Sequence, residues 1–211
     1  MLASGRTMAP IYRELTRLQS AGTAPFAKAE TFNLDELRVA PEDPRSFRAF
    51  MEHHLFSRID LPRDRIHFLK GNAENPERES DRYEREISAR PVDLALVGIG
   101  VNGHVAYLEP GSSLAPRTAR VRLSTSTRAR LAAGGMRPVP REALTVGIET
   151  LLSSRQILMV ATGRDKAAAV AAALHGPISA RCPASYLSLH PALTVLLDQP
   201  AARLLDRRLS S

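Results

Sequence analysis

The sequence predicts an α/β protein with a three-layer, Rossmann-like fold and a mostly parallel central sheet. Two observations carry this prediction. Short apolar runs alternate with segments whose apolar residues recur at helical spacing, as in a layered α/β chain. The clearest runs, at 92–100, 156–161 and 193–197, are nearly continuous, which is typical of parallel strands buried on both faces. A length of 211 residues fits one domain, spanning residues 1–211.

The remaining elements are predicted from spacing and from turn residues. Ile11, Leu15 and Leu18 indicate a first helix, and a short strand at 29–37 ends in the adjacent acids Asp35 and Glu36. Further elements are predicted in this order: helix 44–56, strand 66–69, helix 76–89, strand 119–123, helix 124–133, an apolar segment with a helix at 144–152, helix 166–174 and a closing basic helix. Only three residues precede the first turn, so we expect the fold's first helix and most of its first strand to be missing.

Composition excludes several classes of protein. The net charge of +7 and pI of about 10.3 come mainly from scattered arginines, with 5% aromatic residues and no tryptophan. This argues against a nucleic-acid surface and fits a phosphorylated small substrate. No apolar run is long enough to span a membrane, and no secretion signal opens the chain. The single cysteine, Cys182, excludes an internal disulfide, so we expect a cytoplasmic protein.

Three polar segments are candidates for chemistry, each with an ordinary alternative. The predicted strand at 92–100 runs into a glycine-rich loop. Because ligands bind at the carboxyl ends of parallel strands, His104 and Glu109 of this loop would lie in a binding crevice. A common glycine turn would look the same. The turn at 4–7 resembles a phosphate-binding turn before a helix, or a plain helix cap. Asp35 and Glu36 would provide a catalytic base, or are solvated loop charges. No histidine spacing indicates a metal site, and no cofactor is expected.

Taken together, these segments resemble the glucosamine-6-phosphate deaminase (isomerase) family. The resemblance spans nearly the whole chain in the right order. It is carried by Phe32-Asn33-Leu34-Asp35-Glu36, Gly98-Ile99-Gly100-Val101-Asn102-Gly103-His104, Glu109-Pro110-Gly111-Ser112-Ser113, Ala143-Leu144-Thr145-Val146-Gly147, Gly163-Arg164-Asp165-Lys166-Ala167 and Leu187-Ser188-Leu189-His190-Pro191. It implies conversion of glucosamine 6-phosphate and water to fructose 6-phosphate and ammonia, without a metal.

The resemblance also implies roles for single residues. Asp35 matches the base that moves a proton from C2 to C1, and His104 matches the group that opens the sugar ring. Glu109 matches the carboxylate that pairs with His104, and Asn102 orients His104 or the substrate. Donors to the substrate phosphate match the following residues: Gly5, Arg6, Thr7, Ser112, Arg130 and Lys166.

Two departures and two alternatives accompany the resemblance. Leu108 stands where the deaminases usually have asparagine. Arg6 stands where a small residue is usual, so the arginine side chain would reshape the phosphate pocket or add a contact to the phosphate. A 6-phosphogluconolactonase or related phosphosugar isomerase shares the fold and a Gly-x-His loop. A non-catalytic sugar-phosphate-binding protein is the third hypothesis. The expected partner is a small phosphosugar, and a homo-oligomer is left open.

Overall fold

The computed structural model describes residues 1–111 and 115–205, and its main sheet is parallel. Strands β1 (Thr31–Phe32) and β3 (Ile66–His67) pair at one side, and β4 (Leu94–Gly98), β7 (Gln156–Ala161) and β8 (Leu193–Leu197) pair at the other. The first residues of the chain join the two halves. The prediction of an α/β fold on a mostly parallel sheet is confirmed.

Residues 1–3 occupy the centre of this sheet. Leu2 forms parallel bridges to Asn33 on one side and to Leu96 on the other. Its N–H donates to the Phe32 carbonyl at 2.8 Å, and the Ala3 N–H donates to the Leu96 carbonyl at 3.0 Å. The strand order is therefore β3, β1, residues 1–3, β4, β7 and β8. In chain order this is the 3-2-1-4-5-6 arrangement of doubly wound folds, which bind ligands at the carboxyl ends of the two central strands.

A second, antiparallel sheet was not anticipated from the sequence. It contains β2 (Asp35–Leu37), β6 (Glu142–Thr145) and β5 (Ala119–Arg122), with β6 in the middle. The prediction of one strand over 29–37 is therefore wrong. The chain leaves the parallel sheet after Phe32 and enters the second sheet at Asp35, so the two acids begin a strand instead of following one.

The predicted helices are confirmed with shifted ends, except the closing basic helix. The last helix described, Gln199–Ala202, contains no basic residue, so a basic helix at the end of the chain stays a prediction. The helices are α1 (Ala9–Ser20), α2 (Phe47–His54), α3 (Pro76–Ser88), α4 (Thr125–Ala133), α5 (Ile148–Leu152), α6 (Ala167–His175) and α7 (Gln199–Ala202). Side-chain oxygens of Ser46, Asn75, Ser124 and Asp198 accept N–H bonds at the starts of α2, α3, α4 and α7. Within the described residues, no helix is long and apolar enough to cross a membrane.

Short 3₁₀ segments complete the chain. They cover Phe56–Arg58, Arg63–Arg65, Arg164–Lys166 and Pro183–Leu189. The segment Arg164–Lys166 lies between β7 and α6, and the chain changes direction sharply at Gly163, just before it. A glycine is required there because its φ is +95°. This turn places Lys166 at the carboxyl edge of the parallel sheet.

Candidate active site

Three turns meet at the carboxyl edge of the central strands. The turn at 4–7 follows residues 1–3, the loop after β4 carries Asn102 and His104, and the turn after β7 carries Lys166. The strands preceding these turns are neighbours in the sheet, so residues distant in sequence are brought together. Such a crevice between oppositely wound halves is the expected ligand site of this architecture.

The imidazole of His104 is held by its own loop. Its Nδ1 lies 2.7 Å from Oδ1 of Asn102, whose oxygen also accepts the His104 backbone N–H at 3.4 Å. An amide oxygen only accepts, so Nδ1 carries the proton and Nε2 retains a lone pair. A Cβ on Gly100 would lie 2.2 Å from Cε1 and from Nδ1 of His104, so the ring packs directly on that glycine. The prediction that Asn102 orients His104 agrees with this geometry.

The environment keeps His104 neutral. Burial lowers its pKa to about 4, with Glu109 raising the pKa and Arg130 and Lys166 lowering it further. The hydrogen-bond partner that the structure gives this imidazole is Asn102, and Glu109 acts on it through its charge. Glu109 is 4% exposed, and its Oε1 accepts the Ser124 N–H at 3.2 Å, at the start of α4. The carboxylate therefore links the His104 loop to the helix that carries Arg130.

The two adjacent acids have different surroundings. Glu36 accepts three backbone N–H bonds, from Leu37 at 2.8 Å, Phe47 at 2.7 Å and Arg48 at 2.9 Å, and so anchors the start of α2. Asp35 is 8% exposed, and no hydrogen bond to its carboxyl is seen within residues 1–111 and 115–205. Burial and the neighbouring Glu36 raise the pKa of Asp35 to about 8. Asp35 is thus the acid that is available for proton transfer.

Tyr107 and Thr145 connect Asp35 to the His104 loop, and the sequence did not single out either of them for a role in the site. Thr145 lies opposite Asp35 in the β2–β6 register, and its Oγ1 accepts the Tyr107 N–H at 3.1 Å. Burial raises the pKa of Tyr107 well above its usual value, and the charges of Asp35 and Glu109 raise it further. The signal in the sequence was weak, because an aromatic residue after a glycine loop usually only fills the core.

The charges of Arg130 and Lys166 act on His104, and the charge of Arg6 acts on Lys166. Lys166 donates from Nζ to the Ile99 carbonyl at 2.8 Å, and its pKa is lowered by burial and by the charges of Arg130 and Arg6. Within the described residues, neither arginine forms an ion pair with a carboxylate. Mutual repulsion of this kind is relieved when an anion binds between the charges. The structure therefore brings together three of the predicted phosphate ligands.

The turn at 4–7 adds backbone donors. Gly5 has a φ of +113°, and the chain then reverses so that the Met8 N–H donates to the Gly5 carbonyl at 2.9 Å. In the part of the chain that the structure describes, the N–H groups of Gly5, Arg6 and Thr7 donate to no other residue. Free amides before a helix favour an anion.

The remaining expectations concern single positions. Ser112 lies outside the described residues. Leu108 is 1% exposed and belongs to the hydrophobic core. Arg6 is exposed, and its charge lowers the pKa of Lys166. Arg130, and not Arg128, is the arginine of α4 whose charge lowers the pKa of His104 and of Lys166.

A metal centre was not expected. In residues 1–111 and 115–205, no group of three or more His, Cys, Asp or Glu side chains is arranged to hold a metal ion. The donors at this edge of the sheet are instead amides, ammonium and guanidinium groups, which suit an anionic ligand.

Comparison with known proteins agrees with this geometry. Residues 1–196 match the family model of glucosamine-6-phosphate isomerases/6-phosphogluconolactonase. Glucosamine-6-phosphate deaminase 1 of Giardia intestinalis is 42% identical over 210 residues, which cover 97% of this chain and 79% of that protein. A solved monomeric glucosamine-6-phosphate deaminase is 41% identical with a TM-score of 0.91, and the match covers 96% of this chain and 86% of the solved one.

A lactonase is also similar, at a lower level. The 6-phosphogluconolactonase of Thermotoga maritima is 25% identical with a TM-score of 0.72, and the match covers 92% of this chain and 82% of the other. The similarity in sequence and in structure is therefore greater to the deaminases than to this lactonase.

Proposed function

The chain belongs to the family of glucosamine-6-phosphate isomerases and 6-phosphogluconolactonases, and from this we propose that it is a glucosamine-6-phosphate deaminase. It converts glucosamine 6-phosphate and water to fructose 6-phosphate and ammonia. The observation that carries the proposal is the difference between the surroundings of the two adjacent acids, Asp35 and Glu36. Glu36 accepts N–H groups at the start of α2, whereas Asp35 is buried and free of hydrogen bonds to the described residues. Asp35 lies opposite Thr145, which accepts the N–H of Tyr107 in the His104 loop.

Ring opening is the first step and is assigned to His104. With Nδ1–H held by Asn102, the lone pair of Nε2 accepts the proton of the substrate's O1 hydroxyl and returns it to the ring oxygen as the C1–O5 bond breaks. The imidazole is charged between these two transfers. The carboxylate of Glu109 stabilises that charge, since it already raises the pKa of His104.

Isomerisation is the second step and is assigned to Asp35. The ionised carboxylate takes the proton from C2 of the open-chain aldehyde while O1 takes a proton from the ammonium group on C2, giving an enolamine. The carboxylate then returns its proton to C1. The product is an imine at C2, which water hydrolyses to the ketone and ammonia. A low-dielectric position beside a second acid makes Asp35 a stronger base than an exposed carboxylate, because its pKa is raised to about 8.

The phosphate is assigned to the three cations and to the amides of the turn at 4–7. We expect Lys166→Met to raise KM by about 10- to 100-fold with a smaller change in kcat, because a hydrogen bond to a charged group contributes about 1.5–3 kcal/mol. Steady-state kinetics with glucosamine 6-phosphate measures this. Lys28→Met, the same change at an exposed lysine, is the control and should leave both constants unchanged. An unchanged KM in Lys166→Met would remove Lys166 from the phosphate site.

The activity itself is tested by product analysis. The purified chain is incubated with glucosamine 6-phosphate, and ammonia and fructose 6-phosphate are measured by coupled assays; equal amounts of both are expected. A parallel incubation with 6-phosphogluconolactone tests the lactonase. Hydrolysis of the lactone without ammonia release would favour the lactonase hypothesis. Binding of glucosamine 6-phosphate with neither product formed would favour a non-catalytic binding protein.

Two further proposals accompany the enzymatic one. The chain acts in the cytoplasm, which is supported by its one cysteine and by the metabolic role of the proteins it resembles. It binds no nucleic acid, which is supported by scattered arginines and the lack of tryptophan. A homo-oligomer stays a prediction, and the similar solved protein is described as monomeric.

A further inference from the structure

Tyr107 is a buried aromatic residue of the site loop that the proposed reaction does not use. It is 7% exposed, and its ring is nearly parallel to that of His104, with centroids 6.4 Å apart and planes at 27°. Phe47 packs against the same tyrosine, with centroids 5.9 Å apart and planes at 15°. Such distances are within the range of favourable aromatic pairs. The imidazole of His104 is thus one end of a three-ring stack whose other end is the first residue of α2.

The backbone fixes this stack to the strand that carries the base. The Tyr107 N–H donates to Oγ1 of Thr145, which is fully buried and directly opposite Asp35 in the antiparallel sheet. The preceding residue, Ala106, has a φ of +48°, the one positive φ of a non-glycine residue among those described. A left-handed alanine costs about 1–2 kcal/mol and persists only where the surroundings enforce it. The tyrosine is therefore held tightly at both its ring and its backbone.

We infer that Tyr107 is a positioning residue, whose ring keeps the His104 imidazole in the orientation that bonds Nδ1–H to Asn102 and leaves Nε2 for the substrate. This role rests on the proposed function of His104. Its ring also excludes water from one side of the imidazole. The phenol hydroxyl is not needed for either effect, since no hydrogen bond joins it to the residues that the structure describes.

The test measures the imidazole directly and activity separately. Samples carrying ¹³C-labelled histidine are titrated by NMR, with the His104 signal assigned by its loss in His104→Gln. Tyr107→Leu should raise the His104 pKa from about 4 by about one unit, because water replaces the ring. It should also lower kcat about tenfold at unchanged KM, since the imidazole is less well aligned. Tyr107→Phe retains the stack and should match the wild type in both measurements.

Two other variants guard against a general effect on folding. Phe50→Leu removes an aromatic partner of a different histidine, His54, at a centroid distance of 4.3 Å, and should leave the His104 signal unchanged. If Tyr107→Leu fails to fold, Phe47→Leu removes the outer ring of the stack instead. It should raise the His104 pKa in the same direction by a smaller amount.

The outcomes separate this inference from the function. An unchanged His104 titration in folded Tyr107→Leu, or an equal shift in Tyr107→Phe, would overturn the positioning role of the ring. If the wild type releases no ammonia, the proposed function fails, and the NMR titration still decides whether Tyr107 sets the state of His104.

Discussion

Asp35→Asn should abolish ammonia release while the protein stays folded and still binds glucosamine 6-phosphate. A positioned general base contributes about 10²- to 10⁴-fold to the rate, and asparagine cannot accept the C2 proton. The measurement is kcat from the ammonia assay, with substrate binding measured by calorimetry. A variant that keeps a tenth of the wild-type kcat would show that another group removes the C2 proton.

The pH dependence follows from the raised pKa of Asp35. The base must be ionised, so kcat/KM of the wild type should rise with pH and level off above about 8, which is the pKa of Asp35 in the free protein. His104 stays neutral across this range because its pKa is about 4. A rising limb near pH 8 that persists in a low-activity Asp35 variant would contradict the assignment.

The same group makes the folded protein less stable at high pH. The unfolded carboxyl has a pKa near 3.8 and the folded one near 8, so between these values the folded state binds more protons. The contribution of Asp35 to stability is therefore complete below about pH 4, falls by about 1.4 kcal/mol per pH unit as pH rises and is lost above about 8. Asp35→Asn should raise the melting temperature at pH 8, and much less at pH 4.

The neighbouring acid provides the matched control. Glu36→Gln keeps an oxygen for some of the N–H groups at the start of α2 but loses the second acceptor, which the Arg48 N–H uses. We expect a loss of about 1–3 kcal/mol in the free energy of unfolding and nearly unchanged kcat per folded molecule. The two substitutions, one residue apart, should thus have opposite effects on stability and on chemistry.

His104→Gln should lower kcat by about 10²- to 10⁴-fold, because no other imidazole serves the ring oxygen. We expect ring opening to be the step that is slowed in this variant. With substrate deuterated at C2, the isotope effect on kcat should therefore shrink towards 1 in the variant, since transfer of the C2 proton no longer limits the rate. A full isotope effect in His104→Gln would place the histidine in the isomerisation step instead.

Gly100→Ala tests the position of the same ring without removing it. The new Cβ would lie 2.2 Å from Cε1 of His104 and must displace the imidazole. We expect a loss of activity comparable to that of His104→Gln in a protein that still folds. Gly134→Ala is the control, because its Cβ would meet only ordinary contacts at 3.4 and 3.5 Å and its φ is −77°. It should behave as the wild type.

Local sequence patterns were sufficient for much of the fold. The bounds of β7 and β8 agree with the predicted runs at 156–161 and 193–197. Burial on both faces accounts for the apolar run of β7. It was wrongly predicted for β8, which lies at the edge of its sheet and leaves Leu196 52% exposed. The ends of the helices were less certain. Helix α2 begins three residues later than predicted, at Phe47, where Ser46 and Glu36 supply its first acceptors. Glu36 lies in β2, outside the helix segment, so the sequence around α2 gives no sign of this acceptor.

The antiparallel sheet and the different surroundings of the two acids required the tertiary structure. Pairing of β2 with β6 joins residues more than a hundred positions apart, which no local pattern encodes. The resemblance matched Asp35 to the base. Local pattern alone could not choose between Asp35 and Glu36, because consecutive residues of a strand face opposite sides and the pattern does not show which side faces the site. The predicted phosphate ligands pose the same difficulty. Arg6, Arg130 and Lys166 are far apart in the sequence, and only the folded chain brings the charges of both arginines to act on Lys166.

The sequence by itself determined the α/β class, the family resemblance and the loop that carries Asn102, His104 and Glu109. These depend on short-range periodicity and on glycines at fixed spacing, which act within one segment of chain. Only the tertiary structure decided that residues 1–3 form the central strand and that Tyr107 stacks on His104. It also decided that Glu36 accepts N–H groups at the start of α2, whereas Asp35 is buried without a hydrogen bond to the described residues. Burial and long-range contact set these outcomes, and both are properties of the folded chain.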